Sequence, residues 1–274
     1  MLTVRQLKDI KELQDICENH EEFRLKLNWD MLKSRNNETK TDFFTYQDER
    51  LTGFLALYPF GAKVEVCGMV HPQYRKKGIF TALLKQAEKQ LASASEVLLN
   101  APAESYAAKQ LCKSLPCRYS FTEHQMKYVH SDTLSEKEGI EIRSATAGDA
   151  DLCIQLDVVC FSLSEEDATL FYEQTAAEQE QTLFIIECSG APAGKVRIQT
   201  DGNESWIYGF AILPEFQRRG IGRSVLSRII RQERNRGRDI FLEVAAENNN
   251  ALNLYTSCGF IPLESQDYYE LKLN

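Results

Sequence analysis

The sequence predicts an α+β chain in three layers, α/β/α, arranged as two similar domains in tandem, each with a mixed and mostly antiparallel sheet. Two observations carry this. The chain repeats itself: Val64 to Phe80 reads as strand, proline turn, basic glycine loop and helix start, and Trp206 to Gly222 reads the same way. Pro72 matches Pro214 and Gly78 matches Gly220, an offset of 142 residues in a chain of 274. Across each glycine loop the order strand, helix, strand demands a parallel pair joined by a right-handed crossover, while strands adjoining in sequence favour antiparallel pairing.

The elements follow in order. Val4-Arg5-Gln6 ahead of a helical Asp9 to Cys17 is echoed by Ile142-Arg143-Ser144 ahead of a helical Asp149 to Val159. A polar stretch from Ser131 to Gly139 reads as a linker, which divides the chain into 1–130 and 140–274. In the second copy the patterning predicts strand Ile140 to Ser144 and helices Asp149 to Val159 and Glu165 to Ala177, then strands Thr182 to Cys188, Ala193 to Thr200 and Ser205 to Leu213. Helix Ile221 to Asn235, strand Ile240 to Ala245 and helix Asn249 to Ser257 come next, with Asn248 as cap and Gly259 as stop. A terminal strand pair is expected around Phe260 to Pro262 and Tyr268 to Leu273.

Composition narrows the function. A hydrophobic content of 43% is ample for packed cores, and a net charge of -8 argues against general nucleic-acid or anionic-membrane binding. Arginines nevertheless crowd residues 218 to 238, which suits a small polyanion near Arg218, Arg219 and Arg223, and a solvated helix face beyond Arg228. The eight cysteines form no Cys-x-x-Cys pair and read as reduced core residues of a cytoplasmic protein. The N-terminus lacks a signal-peptide pattern, and no uncharged apolar run approaches the roughly 20 residues that span a bilayer. The four histidines have spacings that do not recommend a metal site.

The segment that carries chemistry is Gln217-Arg218-Arg219-Gly220-Ile221-Gly222 followed by Arg223. Glycines let the backbone approach a ligand closely, and the free N–H groups and positive dipole end of the following helix face anionic oxygens. Together they describe a pyrophosphate cradle. Downstream come Phe241-Leu242-Glu243-Val244 and the run Asn248 to Phe260, whose framework is Asn-x-x-Ala-x-x-Leu-Tyr-x-x-x-Gly-Phe from residue 248.

With both halves in place the chain resembles the GNAT N-acetyltransferase family, strongly over its second half and loosely over its first; the motifs of the second half resemble those of ribosomal-protein alanine acetyltransferases. The resemblance implies that the loop holds the pyrophosphate of acetyl coenzyme A (acetyl-CoA). It also implies that the parallel pair splays apart to admit the pantetheine arm, which backbone groups near Ala211, Ile212 and Leu213 bond like an added strand, and that Asn248 hydrogen-bonds the coenzyme.

An amine attacks a thioester only as the neutral base, and a lysine-like amine of pKa about 10.4 is neutral roughly once in 2,500 molecules at pH 7. A nearby carboxylate can help extract the proton, and Glu243, beside the expected splay and matching the acid given this role in the alanine acetyltransferases, is the proposed base. The alternative is a strand residue facing solvent or paired with an arginine. Tyr255 fits the acid that protonates the departing thiolate; its alternative is an aromatic packing its helix on the sheet. Acids in Phe161 to Asp167 either attract a cationic amine or cap a helix, and Asp201 and Glu204 in a hairpin turn are of the same kind.

The first copy departs from this pattern. Phe80 stands where Gly222 does, Asn100 ends the strand where Glu243 lies, and Cys112 takes the place of Tyr255, so this copy reads as catalytically degenerate, either structural or helping to shape the substrate pocket, with retained coenzyme binding as the alternative. The expected activity is acetyl transfer from acetyl-CoA to a primary amine at the second site, with a noncatalytic acyl-CoA sensor as the alternative. Two fused copies could mimic a dimer, so both monomer and homodimer fit.

Overall fold

The computed structural model describes residues 1–35, 39–131, 134–176 and 181–272, the last helical residue, 176, by its backbone alone. The chain forms two compact units, one of residues 1–123 with 264–274 and one of residues 124–263.

In the first unit Thr3 and Gln6 form a reciprocal capping box: the Gln6 N–H donates to Thr3 Oγ1 at 3.1 Å and the Thr3 N–H to Gln6 Oε1 at 2.9 Å. Helix α1 (Val4–Glu21) therefore starts at once. Val4 to Gln6 are its first turn, and the expected echo of the strand at Ile142 to Ser144 holds only for the helix that follows. After α2 (Trp29–Lys33) come β1 (Asp42–Gln47), β2 (Arg50–Phe60) and β3 (Lys63–Val70), all antiparallel. Helix α3 (Ile79–Leu91) then crosses over to β4 (Glu96–Pro102), parallel to β3, and α4 (Tyr106–Ser114) precedes β5 (Cys117–Tyr128). Alternation along β2 splits the core in two: Phe54, Ala56 and Tyr58 pack on α1 and α2, and Leu55 and Leu57 on α3.

The second unit runs β6 (Ile140–Ser144), α5 (Ala150–Phe161), α6 (Glu165–Ala176), β7 (Gln181–Cys188), β8 (Ala191–Asp201), β9 (Glu204–Ile212), α7 (Ile221–Asn235), β10 (Asp239–Ala245), α8 (Asn249–Ser257) and β11 (Phe260–Leu271). Antiparallel β6, β7, β8 and β9 meet β10, which is parallel to β9. The expected helix end at Ala177 and strand end at Leu273 lie outside the described residues.

Two expectations change. The terminal strand pair is one continuous strand, β11, whose residues Gln266 to Glu270 pair antiparallel with Pro102 to Leu98 of β4 and so cover the outer edge of that crossover strand. The boundaries at 130 and 140 move accordingly: β5 passes from the first unit to the second after Glu123, and β11 returns after Leu263. Nor does the polar stretch stand free. Leu134 packs on the second core, the Ser135 and Lys137 N–H groups donate to Ser227 and Ser224 Oγ, and Glu136 accepts from Arg228 and Arg231. Asp132 and Thr133 lie outside the described residues.

Tyr268 shows what β11 contributes to the first unit: it is 1% exposed, its ring stacks on Phe121 at 4.5 Å, and its hydroxyl donates to Glu123. Tyr268→Ala should cost about 3–5 kcal/mol in urea unfolding and speed hydrogen exchange at Leu98 to Asn100. A loss under about 1 kcal/mol would contradict this role.

Candidate functional site

From β9 the chain passes through a short turn at Pro214–Phe216 into the basic loop. Arg218 takes φ +59 and Gly220 φ +80; Gly220 is the N-cap of α7 and brings no side chain to its first N–H groups. A Cβ on Gly220 would meet nothing within 4 Å, so the space before the helix is open. Arg219 lies 5.3 Å over the Phe216 ring, while Arg223 donates to Ser257 O and Oγ and thereby ties α7 to α8. A Cβ on Gly222 would lie 3.0 Å from Leu254 Cδ2, so a side chain here would have to displace the end of Leu254. A fifteen-residue helix with an uncapped, glycine-lined and basic N-terminus fits a pyrophosphate.

Beside the loop the parallel pair parts. β9 and β10 are paired from Glu204 and Asp239 only to Ile207 and Leu242. Just beyond, the register of β9 on β8 slips between Lys195 and Arg197, opposite Gly209 with φ +54. Of the three backbone positions expected to face the gap, the structure turns one toward it. The Leu213 N–H donates to Ala193 O and its carbonyl accepts from Phe216 N–H, and Ala211 pairs with Lys195 on β8. Alternation along the ladder then presents Ile212 to the open side. Its carbonyl accepts from Gln217 Nε2 at 2.8 Å and from Cys160 Sγ at 3.6 Å.

Glu243 and Tyr255 belong to opposite faces of the sheet. Leu242 and Val244 are buried in the α7 core, so alternation puts the half-buried Glu243 on the face of Phe241, whose ring stacks on Trp206 at 4.9 Å. Tyr255, on α8, packs within the α7 core edge-on to Phe260, and burial pushes its phenol up to about 12. It holds its proton at neutral pH. Asn248 Oδ1 accepts the Ala251 N–H at 3.1 Å and caps α8.

A pocket of about 420 Å³ reaches Gly209 from between α5, α6 and the strands β7 to β9. Thr146, Phe171, Tyr172 and Thr175 line it, together with a buried ion pair that sequence reading missed: Lys195 Nζ donates to Asp157 Oδ2 at 2.6 Å and to Cys153 O at 3.1 Å. The available signal was Asp157, four residues after Cys153 on an apolar helix. The acids of Phe161 to Asp167 serve the helix start, where Ser164 Oγ accepts the Asp167 N–H, and Glu204 accepts from Trp206 Nε1. Nor are the arginines beyond Arg228 merely solvated: Arg236 and Arg238 bind Glu233, and Arg234 lies over Tyr128.

The first unit repeats this frame with different side chains around it. β3 and β4 also part, after Val66 and Leu99, and Gly78 is an uncapped N-cap with φ +77. Arg75 Nε and Cys17 Sγ donate to Val70 O as Gln217 and Cys160 do to Ile212 O. Yet Arg75 also binds Glu21, whose other oxygen accepts from Ser105 Oγ at 2.9 Å, the cap of α4. The aromatic has changed sides as well. A Cβ on Gly68 would lie 2.9 Å from Phe80 Cε2, whereas in the second unit the strand carries Phe210 and the helix Gly222.

The model of the acetyltransferase (GNAT) family matches residues 5–111 and again 151–260. The chain belongs to the GNAT acetyltransferase family. Its two GNAT regions coincide with the repeat, and its relatives are acetyltransferases by name. The chain is 39% identical over 78 residues to [Ribosomal protein bS18]-alanine N-acetyltransferase of Escherichia coli, spanning 28% of the chain and 53% of that protein. It is 26% identical to mycothiol acetyltransferase of Clavibacter sepedonicus over 224 residues, 74% of the chain and 73% of that protein. Among solved structures, the GCN5-related N-acetyltransferase of Sphaerobacter thermophilus has the same fold: TM-score 0.79, 18% identity, covering 100% of the chain and 95% of that structure.

The exchanged aromatics make a coupled pair. Gly222→Phe should destabilise the protein by about 1–3 kcal/mol through overpacking against Phe210 and Leu254. Adding Phe210→Gly, which rebuilds the Gly68 and Phe80 arrangement, should recover at least half of that in a double-mutant cycle by thermal unfolding; strict additivity would contradict the match.

Proposed function

We propose that residues 124–263 form an N-acetyltransferase site that transfers acetyl from acetyl-CoA to a primary amine, and that the first copy is structural. The observation that carries this reading is an uncapped α7 N-terminus following a parallel strand pair whose hydrogen bonding stops at Ile207 and Leu242, one residue before Glu243.

Acetyl-CoA supplies a thioester whose acyl carbon an amine can attack. Amides of Arg218 to Gly222 hold its phosphates, with Gln217, Arg219 and Arg223 around them, and Ile212 bonds the arm within the gap; Asn248 stands at the cap of α8 beside it. The amine comes through the pocket at Gly209. Glu243 takes its proton, directly or through water, as the C–N bond forms, and the Tyr255 hydroxyl gives a proton to sulfur as the C–S bond breaks. The name of the E. coli relative points to a peptide α-amine and that of the Clavibacter relative to a small thiol-bearing molecule. The pocket, about 420 Å³, suits a small amine or the first residues of a peptide. Eight free cysteines fit a reducing compartment such as the cytoplasm, and among the described residues no helix is long and apolar enough to cross a membrane.

Free-thiol release from acetyl-CoA across a panel of amines, scored by product mass, tests activity and acceptor together. Tyr255→Phe should lower kcat by roughly 100-fold or more. Because the Tyr255 phenol titrates only near 12, the wild-type rate should rise with pH through the acceptor amine's pKa and show no falling limb from this residue below about pH 11. Binding of acetyl-CoA without turnover of any amine, unchanged by Tyr255→Phe, would favour the sensor.

A further inference from the structure

The segment joining the two sequence repeats is built into the cradle. Leu134 to Lys137 run along α7 as a strap held at every residue: Leu134 O accepts from Arg231, the Ser135 N–H donates to Ser227 Oγ at 3.1 Å, Glu136 takes Arg228 at 3.0 Å and Arg231 at 2.7 Å, and the Lys137 N–H donates to Ser224 Oγ at 2.9 Å. Burial is the largest single influence on Glu136 and opposes its ionisation, and the hydrogen bonds and charges of Arg228 and Arg231 together outweigh it, holding its carboxyl below the usual range. The strap ends in a cation: Lys137 Nζ donates to the carbonyl oxygen of Arg219, inside the loop, at 3.1 Å.

The anchoring groups belong to the second copy alone. At the positions of α3 that match Ser224, Ser227, Arg228 and Arg231 stand Ala82, Lys85, Gln86 and Lys89. Helix α3 therefore has neither the hydroxyls nor the guanidinium pair that bind the strap to α7.

We infer that Lys137 is a phosphate-binding residue of the acetyl-CoA site, delivered to the cradle from the inter-repeat strap; this rests on the cradle reading above. Its ammonium sits on the main chain of the residue before the Gly220 N-cap, is exposed, and has four methylene groups of reach. A phosphate oxygen within that reach is a stronger, charge-assisted partner than a neutral carbonyl. Both the pyrophosphate and the 3′-phosphate of the coenzyme offer this chemistry.

The test is the dissociation constant of acetyl-CoA and of acetyl-3′-dephospho-CoA, by calorimetry on the full chain at two salt concentrations. Lys137→Ala should weaken acetyl-CoA about tenfold, with a shallower salt dependence, and Lys137→Arg should recover most of it. An equal loss with the dephospho compound assigns Lys137 to the pyrophosphate, and a loss confined to acetyl-CoA assigns it to the 3′-phosphate. Glu136→Gln, which loosens the strap while keeping the lysine, should give a smaller loss. An unchanged affinity in Lys137→Ala, with wild type binding and Gly220→Glu not binding, overturns the inference and leaves the cradle standing. If wild-type protein bound no acetyl-CoA, or Gly220→Glu bound it normally, the cradle reading would fall and this inference with it. A loss in Lys137→Ala that Lys137→Arg did not recover, at unchanged salt dependence, would reduce Lys137 to a strap contact and overturn its role as a phosphate ligand.

Discussion

Strands β9 and β10 share hydrogen bonds only as far as Ile207 and Leu242, and the groups proposed to handle the thioester and the amine lie beyond that point. Parallel neighbours normally zip along their length, so parting them leaves backbone groups without a strand partner. The bulge at Gly209 turns β9 at the same level, and the tight turn at Pro214–Phe216 closes the Leu213 backbone on itself and on β8. Ile212, turned away from β8 by the alternation of the ladder, lies on β9 between this parting and the loop that leads to α7. The proposed site depends on that unfinished pairing.

The same incomplete pairing recurs in the first unit with different side chains around it. Gly78 keeps its left-handed conformation and α3 its uncapped start, so the loop geometry survives. The side chains around it differ from those of the second unit. Phe80 fills the space over Gly68, and Glu21 draws Arg75 and the α4 cap Ser105 together. These contacts are made within the unit and leave its core intact.

Much of this was legible because local rules and the repeat agreed. Helices α7 and α8 begin and end where Gly220, Asn248 and Gly259 place them, and the crossover order dictated the parallel pair. The first turn of α1 was misread because Thr3 and Gln6 cap a helix that the repeat suggested should open with a strand. The course of β11 was hidden because its partner, β4, lies more than 150 residues away, and no local pattern announces a long-range pairing. Leu213 looked available until the structure showed its N–H spent on Ala193. The polar composition of Leu134 to Glu138 indicated a linker, since serine and glutamate read alike whether they face water or the side chains of a helix.

Hydrogen–deuterium exchange with and without saturating acetyl-CoA addresses the central claim most directly, because it reads backbone amides one segment at a time. The account predicts protection concentrated at Ile212 and at Arg218 to Gly222, with Lys76 to Phe80 unchanged. Protection at the first copy instead, or none at the start of α7, would contradict it.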